Sequence, residues 1–205
     1  MTIEHETHES KVTLMEKIAS EIKACHKCAL WKKRQNAVPG EGNLNALVMF
    51  IGEAPGYYED IKGRPFVGAA GKLLDELLSS IGLSRKEVFI GNVLKCRPPE
   101  NREPLANETE TCTPYLDRQI KLIKPKIIVT LGRHSTSYIF SKVGLKNEGI
   151  TKLRGKIYKI NLFGFQISLI PMYHPAAALY NVRYKDELER DFQLLRNELQ
   201  KRRCS

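Results

Sequence analysis

Four short, almost uninterrupted apolar runs at 46–51, 88–94, 126–131 and 165–171 constrain this chain more than any other feature. A strand that is apolar at both alternating positions has no face to give to water, so it belongs inside a sheet covered on both sides. Between and around the runs, apolar residues recur at helical spacing over 11–24, 69–81, 107–123, 134–143 and 185–201. Strands of this kind alternating with helices predict an α/β fold on a parallel sheet. No internal repeat or low-complexity linker interrupts the pattern, and 205 residues, 42% hydrophobic, suit one domain over 11–205. Residues 1–10 are polar and are expected to form a disordered tail.

In open sheets ligands bind beyond the carboxyl ends of the strands. The segments that follow the first, second and fourth runs, at 52–56, 92–99 and 173–180, are therefore expected to converge. The first is the glycine-rich turn Gly52-Glu53-Ala54-Pro55-Gly56, and the last carries His174-Pro175.

No stretch approaches the roughly 18 apolar residues that span a bilayer, and the N-terminus lacks an apolar core of the signal-peptide kind. The expectation is a cytoplasmic protein with no membrane contact. The net charge of +10, with basic runs at Lys32-Lys33-Arg34 and Lys201-Arg202-Arg203, attracts polyanions, of which nucleic acid is the commonest in a cytosol. A merely solvated basic face gives the same count.

Five cysteines in a reducing compartment argue for metal binding or catalysis over disulfides. Cys25 and Cys28 share one short turn, whereas Cys96 and Cys112 must be brought in by the fold. Four thiolates suit tetrahedral zinc or a [4Fe-4S] cluster, and spacing does not choose between them. Cys204, in the basic tail, reads as a bystander.

The stretches GEAPG at 52–56 followed by Glu59-Asp60, GRPFVGAAGKLLDELL at 63–78, GNVLKCRPP at 91–99 and HPAAALY at 174–180 stand in a fixed order with the four cysteines. Across about residues 20–200 the chain resembles the iron-sulfur uracil-DNA glycosylases of family four, found in archaea and bacteria. The resemblance implies a three-layer αβα fold with a central four-stranded parallel sheet. It also implies a structural [4Fe-4S] cluster on Cys25, Cys28, Cys96 and Cys112, and excision of uracil from DNA during base excision repair.

A glycosylase must extrude its base and hold it in a pocket that reads the Watson–Crick edge. By resemblance Phe66 stacks on uracil, and the loop Gly52, Glu53 and Ala54 lines the pocket, with Glu53 also crowding the position of a thymine methyl and standing beside His174 as a catalytic candidate that orients water. Asn92, at a strand end, has an amide that can accept from uracil N3–H and donate to O4, a pattern cytosine reverses. By resemblance again, His174 points at uracil O2, where negative charge builds as the glycosidic bond breaks. Ala54 stands where a better-studied branch of the superfamily has a water-activating aspartate, so a dissociative route relying on His174 and the loop amides is expected. Leu179, Tyr180 and Arg183 are candidates for a wedge that fills the gap left in DNA. His5, His8, His26 and His134 are read as ordinary histidines.

The stretch 97–103 has no histidine of the kind that a neighbouring branch links to the abasic sugar, so turnover is expected. A silent, metal- or Fe-S-stabilised DNA-binding module on the same scaffold is the alternative. The partner is uracil-containing DNA met at the nucleoid, with a sliding clamp as a possible second partner, although no clamp-binding motif stands out. A monomer suits base extrusion.

Overall fold

The computed structural model describes residues 8–203; the expected tail at 1–7 and Cys204 lie outside them. The elements run α1 (His8–Lys23), β1 (Glu41–Gly42), β2 (Val48–Gly52), α2 (Tyr57–Lys62), α3 (Ala69–Ser80), β3 (Phe89–Asn92), α4 (Ala106–Ile123), β4 (Ile127–Leu131), α5 (Arg133–Lys142), α6 (Ile150–Leu153), β5 (Tyr158–Leu162), β6 (Phe165–Met172), α7 (Pro175–Ala178) and α8 (Val182–Arg203). Two 3-10 turns, Ala29–Lys32 and Pro99–Asn101, lie between them. Residues 8–10, expected in the disordered tail, are the first turn of α1.

The four apolar runs become β3, β2, β4 and β6, parallel neighbours in that order. The expected four-stranded sheet is, however, a six-stranded mixed one, β1-β3-β2-β4-β6-β5, because an antiparallel strand closes each edge. β1 has only two residues, Glu41 and Gly42, and follows Gly40; the two glycines, at φ +111° and +130°, give no periodic signal. β5 alternates Tyr158-Lys159-Ile160-Asn161-Leu162, and Phe163 and Gly164, both at positive φ, turn the chain into β6. Its exposed Lys159 and Asn161 broke the apolar run that marked the inner strands.

Each inner strand feeds two cores. Val48, Phe50, Val129 and Ile170 pack against Leu74 and Leu78 of α3 and Phe192 of α8 on one face. Met49, Ile51, Ile128 and Leu169 pack against Leu116 and Ile120 of α4 and Ile139 of α5 on the other. Full burial of such a side chain contributes roughly 1.5–3 kcal/mol, so alternate residues of one strand weld the three layers. A third core joins Ile18 and Ile22 of α1 to Leu94, Cys96, Cys112 and Tyr115. Among the described residues no helix is long and apolar enough to cross a membrane.

The chain leaves β2 for β3 on one side and later returns to β4 on the other. This reversal of strand order opens a crevice at the carboxyl end of β2, the usual ligand position in such sheets.

Candidate active site

The three expected segments do converge. A cavity of about 320 Å³ is lined by Glu53, Ala54, Pro55 and Gly56 after β2, Asn92 at the end of β3, Pro98, Asn101 and Arg102 beyond it, Phe66, and His174 and Ala176 after β6. The loops are stitched at main-chain level. Val93 N–H donates to Gly52 O at 3.0 Å and Leu94 N–H to Glu53 O at 2.9 Å.

Glycine is required at the floor of this cavity. A Cβ on Gly52 would sit 2.3 Å from Asn92 Oδ1 and 2.8 Å from the Phe66 ring, so only glycine lets the two side chains meet beside the strand. Gly52 thus shapes the pocket from behind, while Glu53 and Ala54 form its wall. Phe66 is buried and adopts φ +51°, a left-handed conformation that bulky residues rarely hold without outside support. Support comes from Arg85, which donates to the carbonyls of Pro65 and Phe66 while pairing with Asp75 and Glu41. Glu59 adds a second tie: Oε1 accepts from Val67 and Gly68 N–H at 2.9 and 3.0 Å, and Oε2 from Gly56 N–H at 3.1 Å.

Asn92 is 2% exposed, and its Oδ1 has no partner within the protein. Such an orphan is rare, because a buried polar atom left unpaired costs about 1–3 kcal/mol. Its main chain is braced by Lys95, itself buried, whose Nζ donates to Asn92 O at 2.9 Å and to Gln119 Oε1 at 2.7 Å. The lysine is therefore engaged in the wall and offers no amine to the cavity.

His174 caps α7. Its Nδ1 accepts Ala176 N–H at 3.1 Å, which places the ring proton on Nε2. The ring lies 5.5 Å from Phe66, nearly parallel to it. Desolvation pushes the imidazole down to about 4, with the Glu59 charge opposing. The imidazole is therefore neutral at pH 7 and donates from Nε2.

Two features of the surroundings left no mark in the sequence. His134, read as ordinary, places Nε2 3.7 Å from Glu53 Oε2 and from Glu103 Oε2, and that atom is buried without a hydrogen-bond partner. Arg102 and Asn101 join the wall through a turn in which Glu100 and Asn101 are both left-handed, and Glu108 clamps Arg102 with both carboxylate oxygens. No local pattern in the sequence announces either. The wedge candidates Leu179, Tyr180 and Arg183 do not line the cavity; the first two lie in the α7–α8 connection, with Tyr180 92% exposed, and Arg183 in the first turn of α8.

Cys25, Cys28, Cys96 and Cys112 all face a second, small cavity, with Tyr115 and Trp31. Arg34 Nη1 donates to Cys96 Sγ at 2.9 Å and Lys95 N–H to Cys112 Sγ at 3.2 Å. Four convergent thiols with N–H donors aimed at their sulfurs fit a sulfur-ligated metal group. Burial pushes the bare Cys96 and Cys112 thiols up, the latter to about 12, and ligation would remove that preference for the protonated form. His26 rests against Trp31, 4.4 Å between ring centres, as an ordinary histidine would.

The model of the uracil DNA glycosylase superfamily matches residues 39–200, which carry every wall of the larger cavity. The chain is 58% identical over 183 residues to a type-4 uracil-DNA glycosylase of Saccharolobus solfataricus, covering 89% of this chain and 85% of that one. This chain is a type-4 uracil-DNA glycosylase family member. Relatives of the same description in Archaeoglobus fulgidus and Thermotoga maritima are 50% and 45% identical, over 87% and 82% of this chain and 89% and 84% of theirs. The glycosylase family thus spans the sheet, the cavity and the cysteine-bearing segments together.

Proposed function

We propose that this chain is a uracil-DNA glycosylase of DNA repair, which extrudes uracil and hydrolyses its N-glycosidic bond to leave free uracil and an abasic site. The observation that carries the reading is the pairing in one cavity of an orphaned Asn92 Oδ1 with a neutral His174 whose proton sits on Nε2. Uracil presents one donor, N3–H, between two carbonyl oxygens. Asn92 Oδ1 accepts from N3–H, Phe66 provides the stacking surface, and His174 Nε2–H donates to O2. Cytosine offers no proton at N3 and leaves Asn92 unpaired.

As the N1–C1′ bond breaks, its electron pair moves into the ring and onto O2, where the His174 donor meets it. The sugar cation then takes oxygen from water and releases a proton, giving the abasic hemiacetal. Glu53 shapes the wall beside the turn, where it also crowds a thymine methyl. Leu179, Tyr180 and Arg183 fill the gap in the DNA.

A [4Fe-4S] cluster on Cys25, Cys28, Cys96 and Cys112 is part of this reading, with a structural role. The donor set supports it: four thiols around one cavity, two of them already meeting N–H donors, match the ligand set of such a cluster. We read the working unit as a monomer in the cytoplasm at the nucleoid, with a sliding clamp as a further partner. Sedimentation with and without clamp tests both, and a dimer or an unchanged boundary would discard them.

Base release from oligonucleotides carrying uracil opposite guanine, uracil in a single strand, or thymine opposite guanine, followed by alkaline cleavage, tests the activity. Cleavage of both uracil substrates that is lost in His174→Ala is expected. DNA that is bound but never cleaved would replace the enzyme with a silent binding module.

A further inference from the structure

Beside the cavity, α2 sorts its side chains by chemistry. Its two carboxylates turn inward: Glu59 accepts the three backbone N–H groups described above, and buried Asp60 accepts those of Gln35 and Asn36 at 2.9 and 3.2 Å. Its two phenols turn outward, Tyr57 51% and Tyr58 56% exposed, set edge to face with ring centres 5.3 Å apart. The Arg97 guanidinium lies over the Tyr57 ring, 5.1 Å from its centre, and its Nε is fixed by Asn101 Oδ1 at 2.8 Å.

The position of this group is informative. Tyr57 follows Gly56, and Arg97 precedes Pro98; Gly56, Pro98 and Asn101 all line the cavity. The rings therefore stand on the rim, at the junction of the loops after β2 and β3. Exposed aromatic faces next to a guanidinium, with both α2 carboxylates engaged by backbone amides, make a surface complementary to an unstacked base and its phosphate. The overall charge of +10 has the same sign.

We propose that Tyr57, Tyr58 and Arg97 form a stacking platform for the nucleotide next to the extruded uracil. The inference rests on the glycosylase reading and adds a subsite to it. A base that loses its neighbour to the cavity loses one stacking face; the phenol rings replace that face while Arg97 meets the adjoining phosphate. The extruded state is thereby stabilised on a single strand as well as in a duplex.

The test uses the full chain and single-stranded oligonucleotides carrying one uracil with 2-aminopurine on its 5′ or its 3′ side, at enzyme excess. Wild type is expected to change the 2-aminopurine emission from one of the two sides. Tyr57→Ala with Tyr58→Ala is expected to abolish that change and weaken binding roughly tenfold or more, with an unaltered thermal midpoint. Tyr57→Phe, which keeps the ring, is expected to retain the signal. Arg97→Ala is expected to lower the salt dependence of binding by about one phosphate contact.

Equal signals in wild type and the double alanine variant, with uracil release intact, would overturn the platform alone. Absence of uracil release in wild type would overturn the underlying function. A self-association of wild type that the alanine variants abolish, without a change in the 2-aminopurine signal, would assign the rings to a second copy and overturn the proposal.

Discussion

The larger cavity and the cysteine cavity grow from the same stretch of chain, since Asn92 ends β3 and Cys96 follows four residues later, yet they are built on opposite principles. The first measures about 320 Å³ and is lined by a residue whose buried polar atom has no protein partner, Asn92 Oδ1. The second is far smaller, sits in a core shared with α1 and α4, and already aims donors at two of its sulfurs. The difference separates two uses of buried polarity. Unpaired groups wait for an exchanging molecule, whereas prepared donors suit a group that remains. Ala54 shows how closely the two are coupled, because it lines the larger cavity and packs on the cysteine core.

That contrast breaks most clearly if both regions answer alike to mutation. His174→Ala is expected to lower the rate of uracil release about 10²–10³-fold, the usual effect of losing one donor at a developing oxyanion, with little change in urea midpoint; single-turnover kinetics and denaturation measure the two. Cys112→Ser is expected to do the reverse. It should lose iron and sulfide by elemental analysis and on the order of 3 kcal/mol of stability, while the fraction still folded keeps most of its rate. Chelation of the wild-type protein should follow the same pattern.

Between these extremes stands Gly52→Ala, which belongs to the floor that fixes Asn92 and Phe66. Its methyl would meet both, so a loss of about 1–3 kcal/mol is expected, together with a fall in kcat/KM for uracil. A normal rate at reduced stability would show that Asn92 moves aside harmlessly.

The smallest effect is a pH dependence of stability. The folded His174 has its imidazole held at about 4, below the ordinary 6.5. As pH drops below about 6.5 the unfolded chain binds a proton that the folded chain refuses, so stability is full above that value and declines toward pH 4. At pH 5 the loss should reach up to about 2 kcal/mol, and His174→Gln should flatten the slope of urea midpoint against pH.

The inner sheet could be read from sequence because its strands are apolar on both faces, and the convergence of Gly52, Asn92 and His174 followed from strand ends. The edge strands could not: β1 is two residues of main-chain pairing, and β5 is half polar. Phe66, Asn92 and His174 carried a recognisable motif, but Arg85 and Glu59, which hold them, act on backbone carbonyls and amides that leave no trace in residue order. The neighbourhood of His134 was illegible for a related reason. Its meaning lies in a carboxylate 81 positions away in the chain, brought near by the start of α5.

The backbone amide of Ala176 that occupies His174 Nδ1 also bears on the proposed turnover. A histidine oriented by a carboxylate is poised to shuttle a proton, and a cycle built on it must recover that proton before the next substrate. In the proposed reaction an imidazole fixed by a peptide N–H and held neutral has nothing to recover: it would lend a hydrogen bond, take it back, and meet each new uracil in the state in which it met the last.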